Sequence, residues 1–362
     1  MTGTFKNPVL FVGTYTEHQG SQSKGIYVYR MDSSSGELTF QWEAKGVLNP
    51  SFLDLHPQRD FLYAVNEVGT FAGEAGGGVS AFSVDPASGE LTLLNAYPSR
   101  GKDPCYISIE ATGRFALVAN YSSGTVAMLP IQTDGQLGPA TDVVQHSGSS
   151  VDPKRQTAPY AHCIRPDPTN RFAIAADLGA DKLFIYRMDL ENGKLGKHAE
   201  VKTRPGAGPR HVTFHPNGRY MYVINELNST LIVYRYDGDA GSLEEVQTIS
   251  TIPPDYKGEN LCADVHVHGN YLYASNRRHD SIAWYLIDEN TGQLSYEGNV
   301  PSGGREPRSF VIDPSGVFLL AAHEKSDNIV VFRIDPETGR PSRTGQEAKL
   351  SKPVCVRFVH LA

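Results

Sequence analysis

The sequence predicts an all-β fold: a seven-bladed β-propeller, one domain over residues 1–362, whose ring closes by pairing of N- and C-terminal strands in one blade. Two observations carry that reading. One phrase recurs seven times, and its first copy lacks an opening strand that reappears at the C-terminus. The phrase is a Pro-containing lead-in, a short apolar strand, a D/H-P-x-G-R-like turn, an aromatic strand ending in Asn, then a third strand and a D-x-x-x-G-x-L turn. Its apolar runs alternate and are rich in Val, Ile, Tyr and Phe between Gly, Pro, Asn and Asp turns, which is strand rather than helix patterning.

The copies follow in order. PVLFVGTYTE through GIYVYRMDSSSGELT is the incomplete first. LNPSFLDLHPQRDFLYAVNEV, leading to GGGVSAFSVDPASGELT, is the second, and KDPCYISIEATGRFALVANYSSGTVAMLPIQTDGQLG the third. YAHCIRPDPTNRFAIAADLGADKLFIYRMDLENGKLG and GPRHVTFHPNGRYMYVINELNSTLIVYRYDGDAGSLE are the fourth and fifth. CADVHVHGNYLYASNRRHDSIAWYLIDENTGQLS and EPRSFVIDPSGVFLLAAHEKSDNIVVFRIDPETG are the sixth and seventh. The closing-turn glycines Gly36, Gly89, Gly135, Gly193, Gly241, Gly292 and Gly339 stand about 50 residues apart, a spacing that suits propeller blades of three or four strands. KPVCVRFVH, from Lys352 to His360, matches the missing opening strand, so one blade is built from both chain ends and the ring has no free sheet edge.

Composition narrows function. With 40% hydrophobic and 20% charged residues a large core is available. The net charge of −7 argues against a nucleic-acid partner. No apolar run reaches the roughly 20 residues of a membrane helix, and Met1–Lys6 lack the apolar stretch of a secretory leader. The expectation is a cytoplasmic protein with no membrane partner, a monomer or weak homodimer. Cys105, Cys163, Cys262 and Cys355 are scattered without a C-x-x-C pair and read as small buried hydrophobes rather than a zinc or redox site.

In a propeller, equivalent residues of successive blades ring the central channel. Aligned on turn and strand-terminal Asn, the position of Arg210 becomes Ser51, Cys105, His162, Ala263, Arg308 and Val354. The position of Glu226 becomes Glu67, Tyr121, Leu178, Arg277 and Glu324. His162, Arg210, Glu226, Arg277 and Arg308 form a lopsided cluster on these two rings. Arg210 with Glu226, and Arg308 with Glu324, could be structural ion pairs. Together, though, converging guanidinium groups suit a carboxylate or phosphate, and a carboxylate and an imidazole supply proton-transfer groups for an ester or lactone reaction. The recurring Asn66, Asn120, Asn225 and Asn276, with Asp177, could form an oxygen-rich calcium ring, but recurrence in most copies favours a strand-ending structural role. Gly76-Gly77-Gly78 lacks the context of a phosphate loop and reads as a flexible hairpin tip. No G-x-S-x-G elbow supports a serine esterase.

Several stretches resemble the bacterial 6-phosphogluconolactonase family of seven-bladed propellers, which also includes the fungal carboxy-cis,cis-muconate cyclase. They are GPRHVTFHPNGRYMYVINELNSTLIVY, PYAHCI preceded by VDPKRQ, YLYASNRRHDSIAWY and EPRSFVIDPSGVFLLAAHEKSDNIVVF. The resemblance covers essentially the whole chain. It implies a catalytic set of His162 from PYAH, Arg210 from GPRH, Glu226 from INEL and Arg277 from SNRRHDS, with His211 as a further substrate-binding candidate. Arg308 joins them as a substrate-binding candidate from the register alone. Where the family motif reads P-H-A-H, this chain has Pro159-Tyr160-Ala161-His162.

The implied reaction is hydrolysis of 6-phospho-D-glucono-1,5-lactone to 6-phosphogluconate, a step of the pentose phosphate pathway, without metal or other cofactor. Glu226 or His162 would be the base, with the other aiding the leaving ring oxygen, and Arg210 and Arg277 would hold negative charge. The alternatives are a muconate-type lactonizing cycloisomerase, a lactonase for another sugar-acid lactone, or a non-catalytic interaction scaffold. Against the scaffold, the Gly-His and Trp-Asp signatures of that repeat type are missing, and Trp42 and Trp284 do not recur.

Overall fold

Strand alternation gives each sheet two apolar faces, which can be covered only by further sheets, and the chain solves this by arranging its repeats face to face in a ring. A computed structural model, which describes residues 7–359, contains seven four-stranded antiparallel sheets and, among those residues, no helix. The fifth blade is representative. Pro209–Phe214 lies innermost, followed outward by Tyr220–Asn225, Thr230–Asp237 and Ser242–Ser250. The other innermost strands are Pro353–Val359, Leu53–Leu55, Pro104–Ile109, Ala161–Pro166, Leu261–His268 and Pro307–Ile312. Each packs on the next around the channel, including the last on the first.

The expected closure is present. Val9–Thr14 pairs antiparallel with Pro353–Val359, with Leu10 opposite Phe358 and Val12 opposite Val356. Those four side chains pack with Phe318, Leu320 and Val331 of the seventh blade, so closing the ring buries apolar surface as well as satisfying a sheet edge. His360, the last residue of the expected closing strand, and Met1–Lys6, where no secretory leader is expected, lie outside the described residues.

The closing turns weld each blade to the one before it. All seven of their glycines have positive φ, between 62° and 85°. A Cβ at Gly241 would stand 2.5 Å from Phe172, at Gly135 2.5 Å from Phe61, and at Gly292 2.4 Å from Tyr220. Each of these aromatic rings belongs to the preceding blade, near the start of its second strand. The recurring Gly and the recurring aromatic are thus two halves of one contact between blades. Tyrosines reinforce the seam: Tyr63, Tyr222 and Tyr273 donate to the carbonyls of Gly135, Gly292 and Gly339.

One sequence expectation needs correction. Gly76-Gly77-Gly78 is not a hairpin tip. The hairpin pairs Thr70–Phe71 with Glu74–Ala75 and turns at Ala72 and Gly73. Gly78 already begins a blade strand. Gly77 is compressed between Pro104 and the Asn66 carbonyl, and Gly78 against Phe71, so small size is needed there for packing rather than for mobility.

The inter-blade contact can be separated from simple backbone preference. Gly241→Ala and Gly269→Ala both place a side chain at positive φ, but nothing lies within 4 Å of a Cβ at Gly269. Gly269→Ala should cost about 1 kcal/mol of unfolding free energy and Gly241→Ala a further 1–3 kcal/mol or so. Equal losses in denaturant titrations would refute the seam.

Candidate active site

The channel-facing ring selected by the sequence register is a ring of β-bulges. In five inner strands the pairing skips one residue at the same place, Val354, Cys105, His162, Arg210 and Arg308, and in the sixth blade it skips two, Ala263 and Asp264. Ser51 precedes the inner strand of the second blade at the corresponding position. A bulge sets two residues against one and re-aims the extra side chain. Pro50, Pro104, Pro209, Pro307 and Pro353 stand immediately before their ring residues; proline cannot donate a ladder hydrogen bond, so it favours a bulge.

A second ring follows the second strand of each blade: Tyr15, Glu67, Tyr121, Leu178, Glu226, Arg277 and Glu324. Its backbone N–H groups are held by the lead-ins to the inner strands. Those of Glu67, Tyr121, Glu226, Glu324 and Tyr15 donate to the carbonyls of Asn49, Asp103, Gly208, Glu306 and Lys352. All five acceptor residues have positive φ, four of them without being glycine, so the rim of the channel carries backbone strain.

Glu226 is the centre of one half of this double ring. It is 3% exposed, and three guanidinium groups reach it: Arg210 Nε at 3.1 Å, Arg277 at 2.7 Å and Arg155 at 2.5 Å. Burial alone would raise its pKa, but Arg277, Arg210 and Arg155 together hold it down at about 2. Arg210 is lowered to about 10, by burial first and then by Arg277 and Arg308, and stays cationic at neutral pH. It also donates to the Ala263 carbonyl at 2.6 Å, while Arg277 donates to that of Cys262 and keeps a buried Nε without a partner. The group as a whole carries three positive charges and one negative charge.

His162 lies beside this cluster, 5% exposed. Burial, then Arg210 and His211, push its pKa well below the ordinary histidine value, so the imidazole is neutral. Nδ1 lies 3.7 Å from Cys105 Sγ, whose thiol is kept protonated by burial, and the ring meets those of Tyr121 and His211 edge-on, each at 5.4 Å. Tyr160, at the place of the family histidine, stacks on Tyr121 at 4.9 Å and so adds to the wall beside His162.

The remaining expected residues fall elsewhere. Arg308 lies over the Tyr15 ring at 5.3 Å and 3.9 Å from Glu324, toward the other half of the ring, and its charge still acts on Arg210 and His162. There Glu67 accepts hydrogen bonds from the Tyr15 and Ser51 hydroxyls, and burial raises its pKa against the pull of Arg308. Glu67 and Glu226, two of the three ring carboxyls, are therefore driven in opposite directions. His211 sits one position deeper. Arg210 can only donate, so His211 Nε2 accepts at 3.1 Å and Nδ1–H goes to Asp264 Oδ1 at 2.9 Å, leaving neither nitrogen for another ligand.

Arg155 was not singled out in the sequence. It comes from the irregular VDPKRQ segment, outside the repeat, and no register position marks it. Glu67 stands on the ring in the sequence register, but its Tyr15 and Ser51 partners become visible only in the structure. The Asn series faces into its own blades: Asn66 bonds the Leu48 carbonyl and Ser80, and Asn276 bonds Thr251 and Asn260. Among the described residues no group of three or more His, Cys, Asp or Glu could hold a metal ion.

Residues 9–358 match the family model "Lactonase, 7-bladed beta-propeller". The chain is 36% identical to a 6-phosphogluconolactonase of Bacillus subtilis over 97% of its length and 98% of that protein's. It is 34% identical to a 6-phosphogluconolactonase of Formosa agariphila over 86% and 88%. Among solved structures, a Pseudomonas aeruginosa periplasmic gluconolactonase superposes with a TM-score of 0.93 at 34% identity, over 99% of this chain and 100% of that one.

Glu226→Gln would leave three guanidinium groups facing one another and should cost about 3 kcal/mol of stability at pH 7. The folded-state pKa of Glu226, about 2, lies below the ordinary 4.5. Its contribution is therefore complete above that ordinary value and is lost as pH falls toward 2. The gap between wild type and Glu226→Gln in denaturant unfolding should narrow steadily below pH 4.5; a gap that does not change with pH would contradict the assignment.

Proposed function

The chain belongs to the seven-bladed β-propeller lactonase family, and we propose that it hydrolyses 6-phospho-D-glucono-1,5-lactone to 6-phosphogluconate. The observation that carries this reading is the Arg155–Arg210–Arg277 cluster on Glu226, cationic overall, beside a neutral His162. The substrate has an anionic phosphate at one end and an activated ester at the other, and the site offers a partner for each.

Arg155, with a side chain 36% exposed, stands toward solvent and receives the phosphate. Arg210 and Arg277, both buried, face the ester carbonyl and stabilise the oxyanion that forms as water adds. His162 is the base. It takes a proton from the attacking water as the new C–O bond forms at C1, and returns it to the ring oxygen as the C1–O bond breaks. The products are a carboxylic acid and a hydroxyl, so atoms and charge balance without a further reactant. Glu226 is too weak a base at its lowered pKa and serves as the anion that holds the guanidinium groups in place. Tyr15, Ser51, Glu67 and Arg308 form a polar wall for the sugar hydroxyls.

A phosphorylated lactone does not cross a bilayer unaided, so this substrate goes with a cytoplasmic location. Among the described residues no helix is long and apolar enough to cross a membrane. Every group in the scheme comes from one chain, in keeping with a monomer or weak homodimer. The likeness to a periplasmic gluconolactonase favours a second reading, in which the lactone is not phosphorylated.

Acid release from freshly made 6-phosphogluconolactone and from gluconolactone, each against its spontaneous rate and with and without EDTA, separates the readings. The expected result is acceleration of the phosphorylated lactone that survives EDTA; no acceleration of either lactone would defeat the proposal. His162→Gln should lower kcat by about 10²–10⁴-fold with little change in KM, and a loss below tenfold would remove His162 as the base. With a pKa held below 6.5, its neutral form should keep activity level through neutral pH and let it fall only in acid. Arg155→Met should raise KM about tenfold for the phosphorylated lactone and leave gluconolactone unaffected.

A further inference from the structure

The channel has a second cationic end. One position deeper than the bulge ring, Phe52 and Tyr106 pack at 4.1 Å with their planes tilted by 31°, and each meets His211 edge-on, at 5.6 and 5.1 Å. These rings, with His211 tied to Asp264, close the middle of the channel. Beneath them lies a separate cavity of about 330 Å³ whose lining includes Asp54, Arg165, His266 and Arg357. All four stand at the same register position, three residues past the bulge ring in their strands, which is why they converge.

Neither arginine forms an ion pair among the described residues, although the Asp54 charge faces both and Asp264 also acts on Arg357. Arg357 stacks over Phe52 at 4.5 Å and donates to the Val356 carbonyl at 2.8 Å. Arg165 makes one long hydrogen bond, 3.4 Å, to the Val212 carbonyl. Most N–H donors of the two arginines therefore have no protein acceptor among the described residues. Asp54 and Asp167 line the same cavity, and their hydrogen bonds run mainly to backbone amides and hydroxyls, not to the guanidinium groups. Asp54 accepts the amides of Leu55 and Ile109 at 2.9 and 2.8 Å. Asp264 is bound by His211 and Ser309 and lies 3.2 Å from His266. Guanidinium groups withdrawn from water are ordinarily paired, because uncompensated charge there is costly.

We propose that this lower cavity is a binding site for a phosphate-class oxyanion, free or as the phosphate of a small sugar phosphate, held between Arg165 and Arg357. The planar donor edges of two guanidinium groups match the tetrahedral oxygens, and the aromatic floor of Phe52 and Tyr106 leaves room for more than a bare ion. The site is distinct from the Arg155–Arg210–Arg277 cluster and does not depend on the lactonase reading.

Selenate, a phosphate analogue with an anomalous signal, locates the anion in soaked crystals; a peak between Arg165 and Arg357 is expected, and its absence would overturn the site. Calorimetric titration with inorganic phosphate and with glucose 6-phosphate then tests it in solution. Arg165→Gln, at a half-buried position that tolerates the change, should weaken the lower-site event by about tenfold or more, and Arg277→Met should leave it in place. Arg357→Met is the second variant and should act like Arg165→Gln. Stronger binding of glucose 6-phosphate would assign the site to sugar phosphates, and equal or stronger binding of inorganic phosphate to the free ion. Binding untouched by both lower-cavity substitutions, or abolished by Arg277→Met alone, would refute the proposal.

Discussion

One buried carboxylate decides the electrostatics of the upper channel. Three guanidinium groups from three parts of the chain would repel one another strongly in a place that water barely reaches, and Glu226 is what lets them meet. The arrangement is asymmetric by necessity: one anion among three cations leaves the cluster positive, with a charge surplus that suits the anionic ligand proposed above. An equal number of carboxylates would have made a stable structural network with nothing left to offer. The same surplus keeps His162 neutral, because a second protonated group beside Arg210 would meet both burial and like charge.

Such an arrangement needs a scaffold that does not relax. Each blade presents its inner strand to the channel, and the apolar seams between sheets lock those strands at fixed angles. Within that frame a bulge is an economical device: it turns one side chain toward the axis without altering the sheet on either side. Proline before the bulge removes a competing ladder donor, and a left-handed lead-in residue supplies the carbonyl that fixes the second ring. Because the device recurs in nearly every blade, the channel is a set of equivalent positions whose occupants are free to differ. Function here consists of which residue stands at which position, while the fold sets only where the positions are.

This explains what was legible in the sequence. Repeats announce themselves, so the blade count, the closure and both rings could be read from spacing, and His162, Arg210, Glu226 and Arg277 emerged as polar departures from a small or apolar background. The structure brings those four together. Arg308 is paired with Glu324 instead of Glu226, since a register records the level of a residue along the channel and says little about which neighbour it will choose. Arg155 was illegible for the opposite reason. It lies in an irregular segment between blades, where no periodicity marks inward from outward, and only the folded path of residues 151–159 carries it to Glu226. The triple glycine misled because glycine signals both freedom and close approach, and Gly77 and Gly78 are pressed against Pro104 and Phe71.

The contrast between Arg155 and the ring residues bears on specificity. Arg210 and Arg277 are held by strands whose register is shared around the whole molecule, so moving them would disturb packing between blades. Arg155 is held by an irregular loop that meets the ring at Glu226 and Tyr121 through Arg155 itself and at the Leu178 carbonyl through buried Gln156. On the proposed mechanism, chemistry common to lactones falls to the rigid part, where the oxyanion must be met to within a fraction of an ångström. Recognition of the phosphate, the feature that would distinguish one sugar lactone from another, then falls to the loop that carries Arg155. On that division, relatives that share the rings but differ in the segment before the fourth inner strand would keep the hydrolysis and change its substrate.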